Sequence, residues 1–136
     1  MFLLDTSAVL AHWLEEPGAF QVAQILDGRK GYVAAVTWLE LRVKWQDLEE
    51  GAELLDIYKD AVSGTVDITS KVAESAFLIR SQSKERIPSM DALIAGAALS
   101  RGMKLVHRDP HLSAIPTTLL PQVVLPPRAS SSADPH

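Results

Sequence analysis

The chain has 136 residues, 47% hydrophobic and 22% charged, with a net charge of −4 and no cysteine. That is enough chain for one domain with a real core, and the missing cysteine excludes a disulfide framework and any thiolate-bound metal. No apolar run approaches the roughly 18 residues of a membrane span. The acid at position 5, with no basic leader before it, argues against a signal peptide, so a cytoplasmic protein without membrane contact is expected.

Residues 1–4 are an apolar run that meets Asp5-Thr6-Ser7. Such a run suits a strand buried on both faces, and Asp5 then stands at the strand's carboxyl end, where open α/β sheets place ligands. A second reading is local: Thr6 or Ser7 caps the following helix, and Asp5 favours its positive end. Residues 7–15 read as that helix, punctuated by Pro17-Gly18. Residues 18–27 read as another, with Phe20, Ala23 and Leu26 at three-residue spacing and Gly28 as its stop. Residues 31–36 form a second strand.

Thr37 opens the next helix. Trp38, Leu41, Trp45 and Leu48 make one apolar stripe on it, and Leu39 and Val43 lie well round the wheel. A helix apolar on two sides packs on two things, such as a sheet and another chain. Gly51 interrupts, and Leu48, Ala52, Leu55, Tyr58 and Val62 continue as a further helix. Residues 65–68 are a third strand. Thr69 caps a helix over 70–83, with Val72, Ala76 and Ile79 inward. Pro88 suits the first turn of the next helix, where Met90, Leu93, Ile94, Ala97 and Ala98 share a face; Ala92, Ala95 and Gly96 are small enough for close approach to a sheet. Gly102 ends that helix, and residues 104–107 and 122–125 are the fourth and fifth strands. Residues 126–136 cannot bury a core and are expected to be a disordered tail behind a single 1–125 domain.

Strands alternating with helices imply a parallel sheet covered on both faces. The fold class is therefore α/β, a three-layer α/β/α sandwich around a central parallel sheet of about five strands. In such a fold the loops after strands one and four can meet at one end.

Four acids fall near that end: Asp5, Glu40, Asp91 and Asp109. Each has a local explanation. Glu40 completes a capping box with Thr37, Asp91 favours a helix dipole, and Asp109-Pro110 opens a turn. Taken together they say more. Four converging carboxylates repel one another unless a cation sits among them. Oxygen donors without cysteine point to Mg²⁺ or Mn²⁺ rather than zinc, and such a carboxylate cage is the usual apparatus of phosphodiester hydrolysis. Charge is also uneven along the chain. Between positions 80 and 108, six basic residues (Arg80, Lys84, Arg86, Arg101, Lys104, Arg108) face two acids (Glu85, Asp91), a local patch that could track phosphates or simply form a solvated face.

Leu4-Asp5-Thr6-Ser7, Glu40 in Thr-Trp-Leu-Glu-Leu, Asp91-Ala-Leu-Ile-Ala-Gly-Ala-Ala and Val106-His-Arg-Asp109 together resemble the PIN-domain nucleases, and among them the VapC-type toxins of toxin–antitoxin pairs. The resemblance spans residues 1 to about 125, and the segment from Asp91 is its most specific part. It implies a PIN-like fold and a metal-dependent endoribonuclease inhibited by a small VapB-like antitoxin. Asp5, Glu40, Asp91 and Asp109 take the acidic, catalytic and metal-binding positions, and Thr6 or Ser7 takes the supporting hydroxyl. The family usually has Thr or Ser two residues before its last acid; here His107 stands there, able to hold a water, a phosphate or the Asp109 carboxylate, or to have no role. Arg80, Lys84, Arg86 and Arg108 are the expected RNA contacts. The two-sided helix after strand two implies a homodimer.

Other readings compete. A PIN-like domain could be catalytically weak and kept for binding RNA or a partner. A phosphatase using Asp5 as nucleophile needs a second acid two residues on, where Ser7 stands. A receiver domain needs acids that Ile68-Thr69 and the first three residues do not supply. A metal-independent ribonuclease could use His107 and His111 as base and acid.

Overall fold

The structure, a computed structural model, describes residues 1–128. In chain order it contains β1 (Phe2–Leu4), α1 (Thr6–Trp13), α2 (Ala19–Asp27), β2 (Gly31–Ala34), α3 (Ala35–Lys44), α4 (Gly51–Ala61), β3 (Gly64–Val66), α5 (Ser70–Gln82), α6 (Ser89–Arg101), β4 (Lys104–His107), a 3₁₀ turn (Leu112–Ala114) and β5 (Gln122–Val124). The strands run in the order β3-β2-β1-β4-β5, and every pairing is parallel. The order reverses beside β1, because β2 and β3 build outward on one side and β4 and β5 on the other. That reversal opens a crevice at the carboxyl ends of β1 and β4, the usual ligand position in such sheets. The register brings Leu4 beside Val106, and the Asp5 amide donates to the Val106 carbonyl (2.9 Å).

Both faces of the sheet are covered, as alternation along each strand requires. Leu3, Ala34 and Leu105 point into a core with Val72, Ala76 and Ile79 of α5 and Ile94 and Ala95 of α6. Their neighbours Leu4, Val33 and Val106 point the other way, into a core with Ala8, Val22, Leu41, Trp45 and Tyr58 from α1 to α4. This is the three-layer α/β/α sandwich expected. Among the described residues no helix is long and apolar enough to cross a membrane.

Several local expectations differ. Helix α3 begins at Ala35, so β2 is shorter than residues 31–36. Thr37 lies inside the helix and is fully buried, so it is not a cap; Ala34 holds that position without a side-chain hydrogen bond. In α2 the inward residues are Val22 and Leu26, four apart, while Phe20 is 73% exposed. Gly51 starts α4 instead of breaking it, and a Cβ there would meet the Trp45 carbonyl oxygen at 2.3 Å. Gly96 lets α6 approach α5, not the sheet: a Cβ at Gly96 would stand 2.8 Å from both the Ala76 nitrogen and the Val72 oxygen. The second stripe of α3 does agree with expectation, since Leu39 and Val43 are each 55% exposed and so left out of the intramolecular core. Of the expected tail, Arg128 reaches Glu16 (Nη2 to Oε2, 3.1 Å); residues 129–136 lie outside the described residues.

Candidate active site

Asp5 leaves the central strand and becomes the N-cap of α1, so both of its sequence readings hold at once; the cap is Asp5 itself, not Thr6 or Ser7. Its Oδ2 accepts from the Ser7 amide (3.0 Å) and the Ser7 hydroxyl (2.6 Å). The Ser7 Oγ accepts in turn from the Arg108 amide (3.1 Å), tying the loop after β4 to the one after β1. Burial pushes the Asp5 carboxyl above the usual carboxylate range; the Ser7 bonds oppose that shift, and the nearby Asp109 charge adds to it.

Thr6, the first residue of α1, turns its hydroxyl to Glu40, donating to Oε1. Thr37 Oγ1 lies 3.3 Å from Thr6 Oγ1, one helical turn before Glu40 on α3. A hydroxyl has one proton to give, so with the Thr6 proton on Glu40 the Thr37 hydroxyl is the donor in that pair. The buried Thr37 therefore acts through Thr6 on Glu40, and the expected capping box is absent.

Asp91 sits in the first turn of α6. Burial, then the charges of Asp109, Asp5 and Glu40, push its pKa up to about 6, against a smaller opposing effect of His111. Asp109 follows β4, where its Oδ1 accepts from the His111 amide (2.9 Å). Asp5, Thr6, Ser7, Glu40, Asp91 and Asp109, with Leu10 and Lys44, line one cleft of about 260 Å³. All four acids named from sequence thus meet in one place.

His107 does not enter that cleft. It is fully buried, and its Nδ1 accepts from the Asp109 amide (3.0 Å) while Nε2 lies 2.8 Å from Gln122 Oε1. Because a backbone N–H can only donate, Nδ1 carries the lone pair and Nε2 the proton that goes to Gln122. Gln122 then donates to the Ile115 carbonyl (2.9 Å). His107 thus fixes the main chain at Asp109 instead of holding a water, a phosphate or the carboxylate.

Arg108 also departs from expectation. Its Nη2 pairs with Glu16, its side chain is only 9% exposed, and Nη1 is buried without a hydrogen-bond partner, so it is not an open phosphate contact. Lys84 and Arg86 are exposed on the loop between α5 and α6, and Arg80 is half-buried. One residue of the site was not singled out from sequence. Lys44 lines the cleft, exposed and without an ion pair among the described residues; its i+4 spacing from Glu40 was the available signal. His111 Nδ1 lies 3.4 Å from Asp109 Oδ1 and 3.8 Å from Asp91 Oδ2.

The donors are oxygen-rich, partly buried and mutually repelling, which fits a hard divalent cation. The family described as PIN domain matches residues 2–117. The chain belongs to the PIN domain family. No curated protein sequence matches it significantly. Among solved structures, VapBC2 from Rickettsia felis, bound to a DNA fragment from its promoter, aligns with a TM-score of 0.75 at 18% identity, covering 92% of this chain and 98% of that one. VapBC-5 from Mycobacterium tuberculosis, a member of a family of toxin–antitoxin systems, aligns at 0.66 and 19%, covering 90% and 96%. FitAcB from Neisseria gonorrhoeae aligns at 0.62 and 25%, covering 82% and 90%. These likenesses establish the PIN fold over nearly the whole chain.

The raised pKa of Asp91 fixes the sign of a stability effect in the metal-free PIN domain. The folded state holds this proton more tightly than the unfolded state, so the stabilisation it brings is full below the ordinary carboxyl value of 3.8 and is lost as pH rises through about 6. Asp91→Asn removes the charge and keeps the shape. In EDTA at pH 7.5 it should raise Tm by about 3–6 °C per kcal/mol of repulsion relieved at this chain length, and it should flatten the decline in Tm between about pH 4 and pH 7. Circular dichroism melts measure both; a lower Tm in the variant would show that the acids are not in repulsive contact.

Proposed function

We propose that this PIN domain is a metal-dependent endoribonuclease, the toxin of a toxin–antitoxin pair. The carrying observation is the convergence of Asp5, Glu40, Asp91 and Asp109 in one cleft at the point where strand order reverses. In this reading the four acids hold Mg²⁺ or Mn²⁺. When bound, such an ion supplies a water of lowered pKa and offsets charge developing at phosphorus.

The chain's own groups do the positioning. Ser7 fixes Asp5 Oδ2. Thr6 orients Glu40, and the Asp109 main chain is set by His107. Arg80, Lys84 and Arg86 are proposed to meet RNA phosphates outside the cleft. Histidine catalysis is disfavoured, because both ring nitrogens of His107 are occupied inside the core while His111 is exposed.

The partners follow from the same reading. The solved VapBC structures are toxin–antitoxin complexes, and an acidic cleft suits an antitoxin segment that places an Arg or Lys among the carboxylates. Leu39 and Val43, exposed on α3, are proposed to form a homodimer contact in the cytoplasm. Leu39→Asp should then lower the mass seen by light scattering from two chains to one; an unchanged dimer places the contact elsewhere. A small reading frame should adjoin the gene, and co-expression with its product should yield a complex and suppress cleavage; failure of either counts against the antitoxin assignment.

Hydrolysis by a water nucleophile expels the 3′-oxygen, so the products should carry 5′-phosphate and 3′-hydroxyl ends. Cleavage should stop in EDTA and return with Mg²⁺ or Mn²⁺, and Asp5→Asn should lose about two orders of magnitude or more in rate, as when a group stabilising transition-state charge is removed. Cyclic phosphate ends, or full activity in EDTA, would refute the mechanism.

A further inference from the structure

We infer that His111 is a ligand of the divalent ion, joining Asp91 and Asp109, and that its imidazole biases the site toward Mn²⁺ over Mg²⁺. This rests on the reading that the cleft holds a divalent cation, and goes beyond it by adding a nitrogen donor to an all-oxygen set.

Three observations meet at His111. One ligand atom from each of Asp91, Asp109 and His111 can be chosen so that all lie within 4.8 Å of one another. The imidazole Nδ1 is 3.4 Å from Asp109 Oδ1 and 3.8 Å from Asp91 Oδ2, too far for hydrogen bonds. The position of His111 is also fixed by its main chain. Its amide donates to Asp109 Oδ1 (2.9 Å), and the Leu112 amide donates back to the Asp109 carbonyl (3.0 Å), closing a tight turn. The ring is therefore carried on the same turn as one of the acids.

Ligand separations around an ion have narrow limits. With bonds of about 2.1–2.2 Å, two donors at right angles stand about 3 Å apart, and two opposite donors about 4.3 Å apart. Both nitrogen–oxygen separations fall between these values. An ion can therefore sit among the three donors after small side-chain adjustments. Imidazole suits transition ions, whereas Mg²⁺ keeps to oxygen, so a His111 ligand favours Mn²⁺.

The competing account makes His111 a counter-cation that offsets the acids when no metal is present. The two accounts predict opposite signs. Removing a ligand weakens Mn²⁺ binding; removing a competing positive charge strengthens it.

The experiment is a Mn²⁺ titration of the full chain followed by electron paramagnetic resonance, with pulsed detection of ¹⁴N coupling and Mg²⁺ competition. The parent protein should show nitrogen coupling. His111→Ala should lose it, with Mn²⁺ affinity falling by roughly 10-fold or more and Mg²⁺ affinity much less affected. His111→Gln, which offers an oxygen, should recover binding of both ions without nitrogen coupling or Mn²⁺ preference. Unchanged or tighter Mn²⁺ binding in His111→Ala, or retained nitrogen coupling, overturns the assignment and leaves the four-acid reading standing. A parent protein that binds no Mn²⁺ refutes both.

Discussion

Mutual repulsion among carboxylates at the carboxyl edge of the sheet is the constraint on which the site depends. Asp5 is 3% exposed at the end of the central strand, a place where an isolated charge is costly. It is made tolerable by two bonds from Ser7 and by its place at the start of α1, where the helix dipole favours an anion. Asp91 arrives from the start of a second helix and faces the same acids. The parallel topology creates this situation, because strand ends and helix starts necessarily gather at one edge. A bound cation would relieve that repulsion.

Around this cluster lies a set of contacts that hold each acid by a different means. Ser7 grips Asp5 and also receives the Arg108 amide, so the loops after β1 and β4 are tied to each other. Thr6 reaches across to Glu40 on α3, with the buried Thr37 behind it. His107 and Gln122 lock the main chain at Asp109 from inside the core. A buried histidine with both nitrogens bonded costs little, which explains how this position accepts an imidazole.

Much of this was legible in the sequence because it depends on period and local chemistry. The alternation of strands and helices gave the layers, and Thr69 and Gly102 marked helix ends through their own side-chain and backbone preferences. The acids were legible as a set, since four charges near one edge need a common explanation. What stayed hidden depends on contacts between distant parts of the chain. Thr37 reads as a cap until Thr6, 31 residues earlier, is placed beside it. Arg108 reads as an open base until Glu16 arrives from the turn before α2. Gly96 reads as sheet contact because small residues do not announce which neighbour comes close. His111 reads only as a candidate acid or base of metal-independent catalysis, because the turn after Asp109 gives no periodic signal that its ring lies beside Asp91 and Asp109.

Calorimetry of Mn²⁺ binding near pH 6, repeated in two buffers of different ionisation enthalpy, tests most directly whether these acids are a metal centre. Asp91 titrates at about 6 in the metal-free protein, and burial raises Asp5 as well. A cation that joins them must displace protons. The account predicts saturable binding with proton release that is substantial at pH 6 and smaller at higher pH, and loss of that binding in Asp5→Asn. Binding without proton release at pH 6, or equal binding by Asp5→Asn, would contradict it.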